Sequence, residues 1–387
     1  MTTDRPLRVA FAGGGSGGHL YPALAVARAL EHLAPGVETL FLGSDRPLER
    51  KILAPSGYPH RALPSAPWRG IRHPRAALRF AWSQARGVLA ARALLADFEP
   101  DVVLGLGGFA SVPGALAAWL RGTPLALFEP NAEAGLANRV LAPLAREAYL
   151  HFPDTTLRCR GVLTGAPVGE RALAPYDRRS ARARLGLPQE GRVLLVMGGS
   201  QGARGINAWI ERSLAAGAAP AGVAFLHLAG NEEAAAGLRA AYAAAGVPHV
   251  VLPFLADIAL AYAAADAAVV RAGAATLAEL SARGLPGVAV PLAGLAGGHQ
   301  VRNACAWEAL GGGAWVRESA LTPATLAHVC AELRDRRWLT RRATEARAAG
   351  RPNAAREVAR RLLGLAGRSE HTPGRHEATV HLHKTAA

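Results

Sequence analysis

Short apolar runs alternate with alanine-rich, helix-forming stretches along almost the whole chain, and no other feature limits the fold so sharply. The first half carries LRVAFA, ETLFLG, DVVLGL, PLALFE and EAYLHF; the second carries RVLLVMG, AFLHLAG, HVVLPF, AAVV and GVAVP. Runs that stay apolar at nearly every position belong to strands covered on both faces. Strands separated by helices pair in parallel, so the pattern predicts an α/β fold of doubly wound parallel sheets. LRVAFAGGGSGGH (7–19) and GRVLLVMGGSQGAR (191–204) both read as strand, glycine loop and helix. This internal repeat predicts two Rossmann-like domains in tandem, as 387 residues allow. The proline- and arginine-rich stretch from Gly165 to Gly191 has no strand pattern and reads as the connection, with the boundary near Gly165. Residues 367–387 lack periodicity, and a disordered tail is expected there.

The balance of 44 Lys+Arg against 29 Asp+Glu gives a formal net charge of +15. Nearly all of the positive charge is arginine, which favours anionic partners: phosphorylated substrates, an acidic membrane surface or nucleic acid. No zinc-finger, RNA-binding or basic-zipper pattern is present, so no nucleic-acid partner is expected. No apolar run reaches the ~18 residues needed to cross a bilayer, and Asp4 and Pro6 interrupt any leader-like start. A soluble or peripheral cytoplasmic protein is expected. Cys159, Cys305 and Cys330 are scattered and lack metal-ligand spacing, so reduced structural thiols are expected.

Three glycine loops follow strands and open helices: GGGSGGH (13–19), GLGGFASVPG (105–114) and GGSQGAR (198–204). Glycine lets a backbone approach a ligand closely, and a helix start offers free N–H groups and partial positive charge. Each loop therefore reads either as a tight turn that binds nothing or as a cradle for phosphate. None is a Walker loop, and the first fits the dinucleotide fingerprint poorly. His19 closes the first loop at a helix start, where the dipole lowers proton affinity and favours neutral imidazole. Neutral imidazole can accept a proton; a capping or packing histidine is the competing reading.

Taken together the motifs are more specific. GGGSGGHLYPALAVA, DVVLGLGGFASVPGALAAW, FEPNAEAGLANRVLA, VMGGSQGARGIN, PFLADIALAYAAADAAVVRAGAATLAEL and GHQVRNA occur in that order. The chain resembles the MurG family of bacterial cell-wall glycosyltransferases, from about Leu7 to Leu365. The resemblance implies a GT-B fold, with two Rossmann-like domains facing across a cleft. It implies transfer of GlcNAc from UDP-GlcNAc, with inversion, to the 4-hydroxyl of the N-acetylmuramoyl unit of lipid I, giving lipid II. Residues 1–165 would face the acceptor and the membrane, and residues 166–350 would hold UDP-GlcNAc. Residues 351–366 would form a helix packed back on the first domain. Cell-wall synthesis proteins are further partners implied by the resemblance.

The same resemblance assigns residues. His19 matches the proposed general base, and Ser16, Gly17 and Gly18 match donor-contacting loop residues. Asn131 matches an asparagine near the donor sugar, and Ser200 a serine at the UDP phosphates. Leu255 matches an apolar residue whose backbone reads uracil. Ala274, Ala275, Thr276, Leu277, Ala278 and Glu279 match a helix start whose N–H groups face the diphosphate, with Glu279 taking the ribose hydroxyls. Gln300 matches a glutamine that reads the GlcNAc hydroxyls. Inverting transfer needs a base on the acceptor and stabilisation of the departing UDP. Helix starts at Ser200 and Ala274 can supply the second, and no DxD-like motif for a metal-bridged diphosphate is present. No cofactor or metal is therefore expected beyond the donor substrate.

The sequence departs from the family in places. GNPVR reads Gly165-Ala166-Pro167-Val168-Gly169, which loses an arginine on the uracil side. HEQN reads Phe128-Glu129-Pro130-Asn131, Phe109 replaces a tyrosine, Ser16 a threonine and Gly298 an aspartate. These changes bear on acceptor geometry and uracil selectivity more than on transfer. From Arg50 to Ala96 there is no acid; Arg69, Arg72, Arg75, Arg79 and Arg86 stand among Trp68, Ile71, Leu78, Phe80 and Trp82. That stretch suits anionic lipid headgroups, which predicts peripheral binding to the cytoplasmic face of the inner membrane. A solvated helix is the alternative. Competing functions are a different lipid acceptor, UDP-GlcNAc 2-epimerisation, and a catalytically weak UDP-sugar-binding paralogue.

Overall fold

The structure is a computed structural model and describes residues 5–66, 74–198, 204–219, 221–292 and 298–368. The first sheet is built from β1 (Arg8–Ala12), β2 (Glu38–Gly43), β3 (His60–Ala62), β4 (Val102–Gly105), β5 (Leu125–Glu129), β6 (Glu147–Leu150) and β7 (Arg160–Leu163). Their helices are α1 (Gly17–Leu33), α2 (Pro47–Leu53), α3 (Pro74–Phe98), α4 (Ser111–Leu120) and α5 (Leu136–Leu141). The order is β3-β2-β1-β4-β5-β6-β7. Every pairing in it is parallel. β1, β4 and β5 are buried at almost every residue, as strands with helices on both faces must be.

Two short helices, α6 (Glu170–Leu173) and α7 (Arg178–Leu185), lead into the second sheet. Its strands are β8 (Arg192–Met197), β9 (Val223–Leu228), β10 (His249–Leu252), β11 (Ala267–Val270), β12 (Gly287–Ala289) and β13 (Gly313–Trp315). Around it lie α8 (Arg204–Ala215), α9 (Glu232–Ala244), α10 (Ile258–Ala264), α11 (Ala274–Arg283), α12 (His299–Ala309), α13 (Pro323–Arg334) and α14 (Arg336–Ala349). The order β10-β9-β8-β11-β12-β13 repeats the topology of the first sheet, again all parallel. The last helix, α15 (Ala354–Leu365), crosses back and packs along α1.

The chain folds into α7 because Asp177 caps it, accepting from the Ser180 N–H, and Gly186 ends it in the left-handed region at φ 70°. Behind α7, Asp266 is fully buried among three arginines. Arg178 and Arg182 each approach it at 2.8 Å and Arg192 at 3.3 Å, and the Val193 N–H donates to it at 2.9 Å. Arg182 also donates to the carbonyls of Ala264, Gln189 and Gly191. One carboxylate thus pins the connecting segment to the entry of β8 and the start of β11.

In both sheets the strand order reverses once, between β1 and β4 and between β8 and β11. Ligands of open α/β sheets sit at such reversals, outside the carboxyl ends of the strands. Loop 13–16 after β1 and loop 106–110 after β4 meet at the first. Loop 271–273 after β11 opens α11 at the second. The partner loop there, residues 199–203 with Ser200, lies outside the described residues.

Candidate active site

His19 sits in the first turn of α1, half-buried. Ser16 is the N-cap in extended conformation, yet its side chain does not cap the helix. Its Oγ lies 3.0 Å from His19 Nδ1 instead. A serine that would ordinarily satisfy a free N–H is diverted to orient an imidazole. Below the ring run Gly107 and Gly108, at φ 84° and 73°. A Cβ on Gly107 would stand 3.5 Å from His19 Nε2 and 3.2 Å from Asn138 Nδ2. Burial lowers the proton affinity of His19 below its ordinary value, against the pull of the Glu129 and Glu49 carboxylates and the Gly14 carbonyl. The ring is therefore neutral at pH 7 and able to accept a proton.

Two buried carboxylates that sequence reasoning passed over shape this pocket. Glu49, on α2, is fully buried. It accepts from the Gly15 N–H at 2.7 Å and the Ser44 N–H at 2.8 Å, and from the Ser44 hydroxyl. Gly14 leaves room for it: an added Cβ would lie 2.5 Å from Glu49 Oε2. The first glycine loop is thus neither an empty turn nor wholly free for an outside anion, because an internal carboxylate already takes the Gly15 amide. Glu129, at the end of β5, accepts from the Asn131 N–H (3.0 Å), Asn131 Nδ2 (3.1 Å), the Gly135 N–H (2.9 Å) and Asn138 Nδ2 (2.9 Å). It organises loop 130–135 around itself. Arg46 adds a cation at the loop mouth, its guanidinium 4.7 Å from the Phe109 ring centre.

On the other side of the cleft, α11 begins at Gly273 in extended conformation, and α1 touches α11. The N–H groups of Ala274, Ala275 and Thr276 open that helix, where an anion is favoured. Glu279 is one turn further on and accepts from the Tyr262 hydroxyl at 2.5 Å. Burial pushes the Glu279 carboxyl up to about 7, and the Tyr262 bond only partly offsets this. Leu277 and Ala278 face inward and are buried. Leu255 is half-buried in the loop after β10, and Gln300 stands in the first turn of α12 with Oε1 accepting from the Leu292 N–H at 2.9 Å. Gly17 and Gly18 open α1 beside Ser16.

Residues 9–150 match the N-terminal domain of glycosyltransferase family 28, and residues 193–360 match its C-terminal domain. The chain belongs to glycosyltransferase family 28. Family relatives include the UDP-N-acetylglucosamine--N-acetylmuramyl-(pentapeptide) pyrophosphoryl-undecaprenol N-acetylglucosamine transferase of Acidithiobacillus ferrooxidans. It is 40% identical over 361 residues, covering 93% of this chain and 98% of the relative. The enzyme of the same name from Nocardia farcinica is 41% identical over 376 residues, 93% of this chain and 96% of its own. The crystal structure of Acinetobacter baumannii MurG superposes with a TM-score of 0.75 at 28% identity, covering 93% of this chain and all of that one.

In this family 28 chain, His19 and Ser16 come together with Gly107, Asn138 and Glu129 at one strand-order reversal, and Ala274–Glu279 sit at the other. Asn131 stands between them. Glu49, Arg46 and Asn303 had no spacing signal. Their partners are backbone amides or side chains brought close by the fold.

Proposed function

We propose that this chain transfers GlcNAc from UDP-GlcNAc to the C4 hydroxyl of the muramoyl unit of lipid I, giving lipid II for peptidoglycan synthesis. The observation that carries the reading is the near full-length likeness, at 40% identity, to enzymes named for that transfer. Residues 1–165 serve the acceptor and residues 166–350 the donor. His19 takes the proton from the C4 hydroxyl as that oxygen attacks C1 of GlcNAc. The bond from C1 to the UDP diphosphate breaks, and the charge left on UDP falls at the start of α11. Ser16, Gly17 and Gly18 contact the donor, Asn131 lies by the donor sugar, Gln300 meets the GlcNAc hydroxyls, and Ser200 meets the phosphates. The Leu255 backbone reads uracil and Glu279 takes the ribose diol. The test is incubation with labelled UDP-GlcNAc and a lipid I analogue. The disaccharide lipid is expected; free GlcNAc as the sole product would overturn the reading.

The acceptor carries a polyprenyl chain, so the enzyme must work at a membrane surface. No helix among the described residues is long and apolar enough to cross a membrane. On α3, Leu78, Trp82 and Leu89 are 74%, 68% and 68% exposed. At 100° per residue they fall within about 40° of one another, and Arg75, Arg79 and Arg86 follow within the next ~60°. Trp68, Arg69, Ile71 and Arg72 lie outside the described residues. An apolar strip flanked by arginine supports docking on anionic lipid of the cytoplasmic leaflet. Charge reversal at Arg75, Arg79 and Arg86 is expected to abolish co-sedimentation with anionic vesicles while leaving transfer to a water-soluble acceptor analogue unchanged. Unaltered sedimentation would rule the strip out.

A further inference from the structure

The side chain of Asn303 is almost fully buried where three pieces of the cleft meet. It belongs to α12, the helix that carries Gln300. Its Oδ1 accepts from the Ala132 N–H at 2.9 Å. Its Nδ2 donates to Asn131 Oδ1 at 3.1 Å and to the Ala272 carbonyl, just before α11, at 3.3 Å. One amide of the second half of the chain therefore holds a loop of the first half and the loop that opens α11. The neighbouring Arg302 adds an ion pair to Glu133 at 2.7 Å.

The chemistry of these bonds leaves one solution for the amides. A backbone N–H on one side and a backbone carbonyl on the other fix which end of Asn303 is oxygen. Asn131 must then present Oδ1 to Asn303, and its Nδ2 goes to the Glu129 carboxylate. One N–H and one lone pair of Asn131 are left over. We infer that Asn303 is a positioning residue for the donor sugar, setting the orientation of the Asn131 amide and the seat of loop 131–133 against the nucleotide domain. Asn303 reaches the loop before α11 through its longer bond to the Ala272 carbonyl, while two bonds go to Asn131 and Ala132, so the larger part of its effect falls on the sugar. This rests on the reading that Asn131 lies by the donor sugar.

Asn303→Asp keeps the size and the acceptor for Ala132 but removes both donors and sets a carboxylate against Asn131 Oδ1. By titration calorimetry, Asn303→Asp and Asn303→Ala are expected to weaken UDP-GlcNAc about ten-fold or more and UDP less than about three-fold, with thermal unfolding run on each variant. In an Asn131→Ala background, Asn303→Asp should cost little further affinity. Equal losses for UDP and UDP-GlcNAc, or no loss for either, would overturn the inference. An Asn131→Ala variant that binds UDP-GlcNAc normally would overturn the role of Asn131 and this inference with it. If Asn131→Ala is impaired and Asn303→Asp is not, only the inference falls.

Discussion

His19→Ala is expected to lower kcat by about two orders of magnitude or more while UDP-GlcNAc still binds. The ring is held by Ser16 and lies over Gly107, its proton affinity is lowered by burial, and it belongs to α1, which touches α11. A capping histidine in that place would affect stability and leave turnover alone, so unchanged kcat in a folded variant would remove His19 from the role of base. The pH profile supplies a second check. His19 is shifted downward by burial, so its neutral form is favoured more than in an ordinary imidazole. Glu279 is shifted upward to about 7, and only its carboxylate can accept from both ribose hydroxyls. The ionised form gains as pH rises through 7, so donor affinity and kcat/KM should fall as pH drops through that point. Glu279→Gln should flatten that limb and His19→Ala should not. A limb that persists in Glu279→Gln would exclude Glu279 as its source.

Asp266→Ala is expected to destabilise the second domain by about 3–5 kcal/mol, the scale for removing one partner of a buried ion pair. The loss leaves Arg182, itself almost fully buried, without its counter-charge, and the Val193 N–H without an acceptor. Burial already lowers the proton affinity of Arg182, and Asp266 is the main opposing influence. Arg182→Met on top of Asp266→Ala should recover part of the loss, because the uncompensated charge goes while the stem volume stays. Chemical denaturation followed by intrinsic fluorescence measures both. A single variant within ~1 kcal/mol of the parent, below the usual scale for a broken buried pair, would mean that solvent reaches the cluster.

The sequence by itself determined the architecture. β1, β2, β5, β6, β8 and β11 are continuous apolar runs between helical stretches, and burial on both faces writes that pattern locally. The same holds for the glycine loops and for His19, since a strand, a tight turn and a helix start are neighbours in the chain. The edge strands β3, β7 and β13 escaped notice because they are three or four residues long and partly exposed, so no apolar run marks them. What only the tertiary structure decided was which polar groups meet. Glu49 reaches Gly15 across 34 positions, and Asn303 reaches Ala132 across 171. Their partners are mostly backbone groups, which look alike in every residue type, so no spacing could have announced them. A buried carboxylate or amide gains its role from the donors around it, and those are assembled only when the two sheets close on each other.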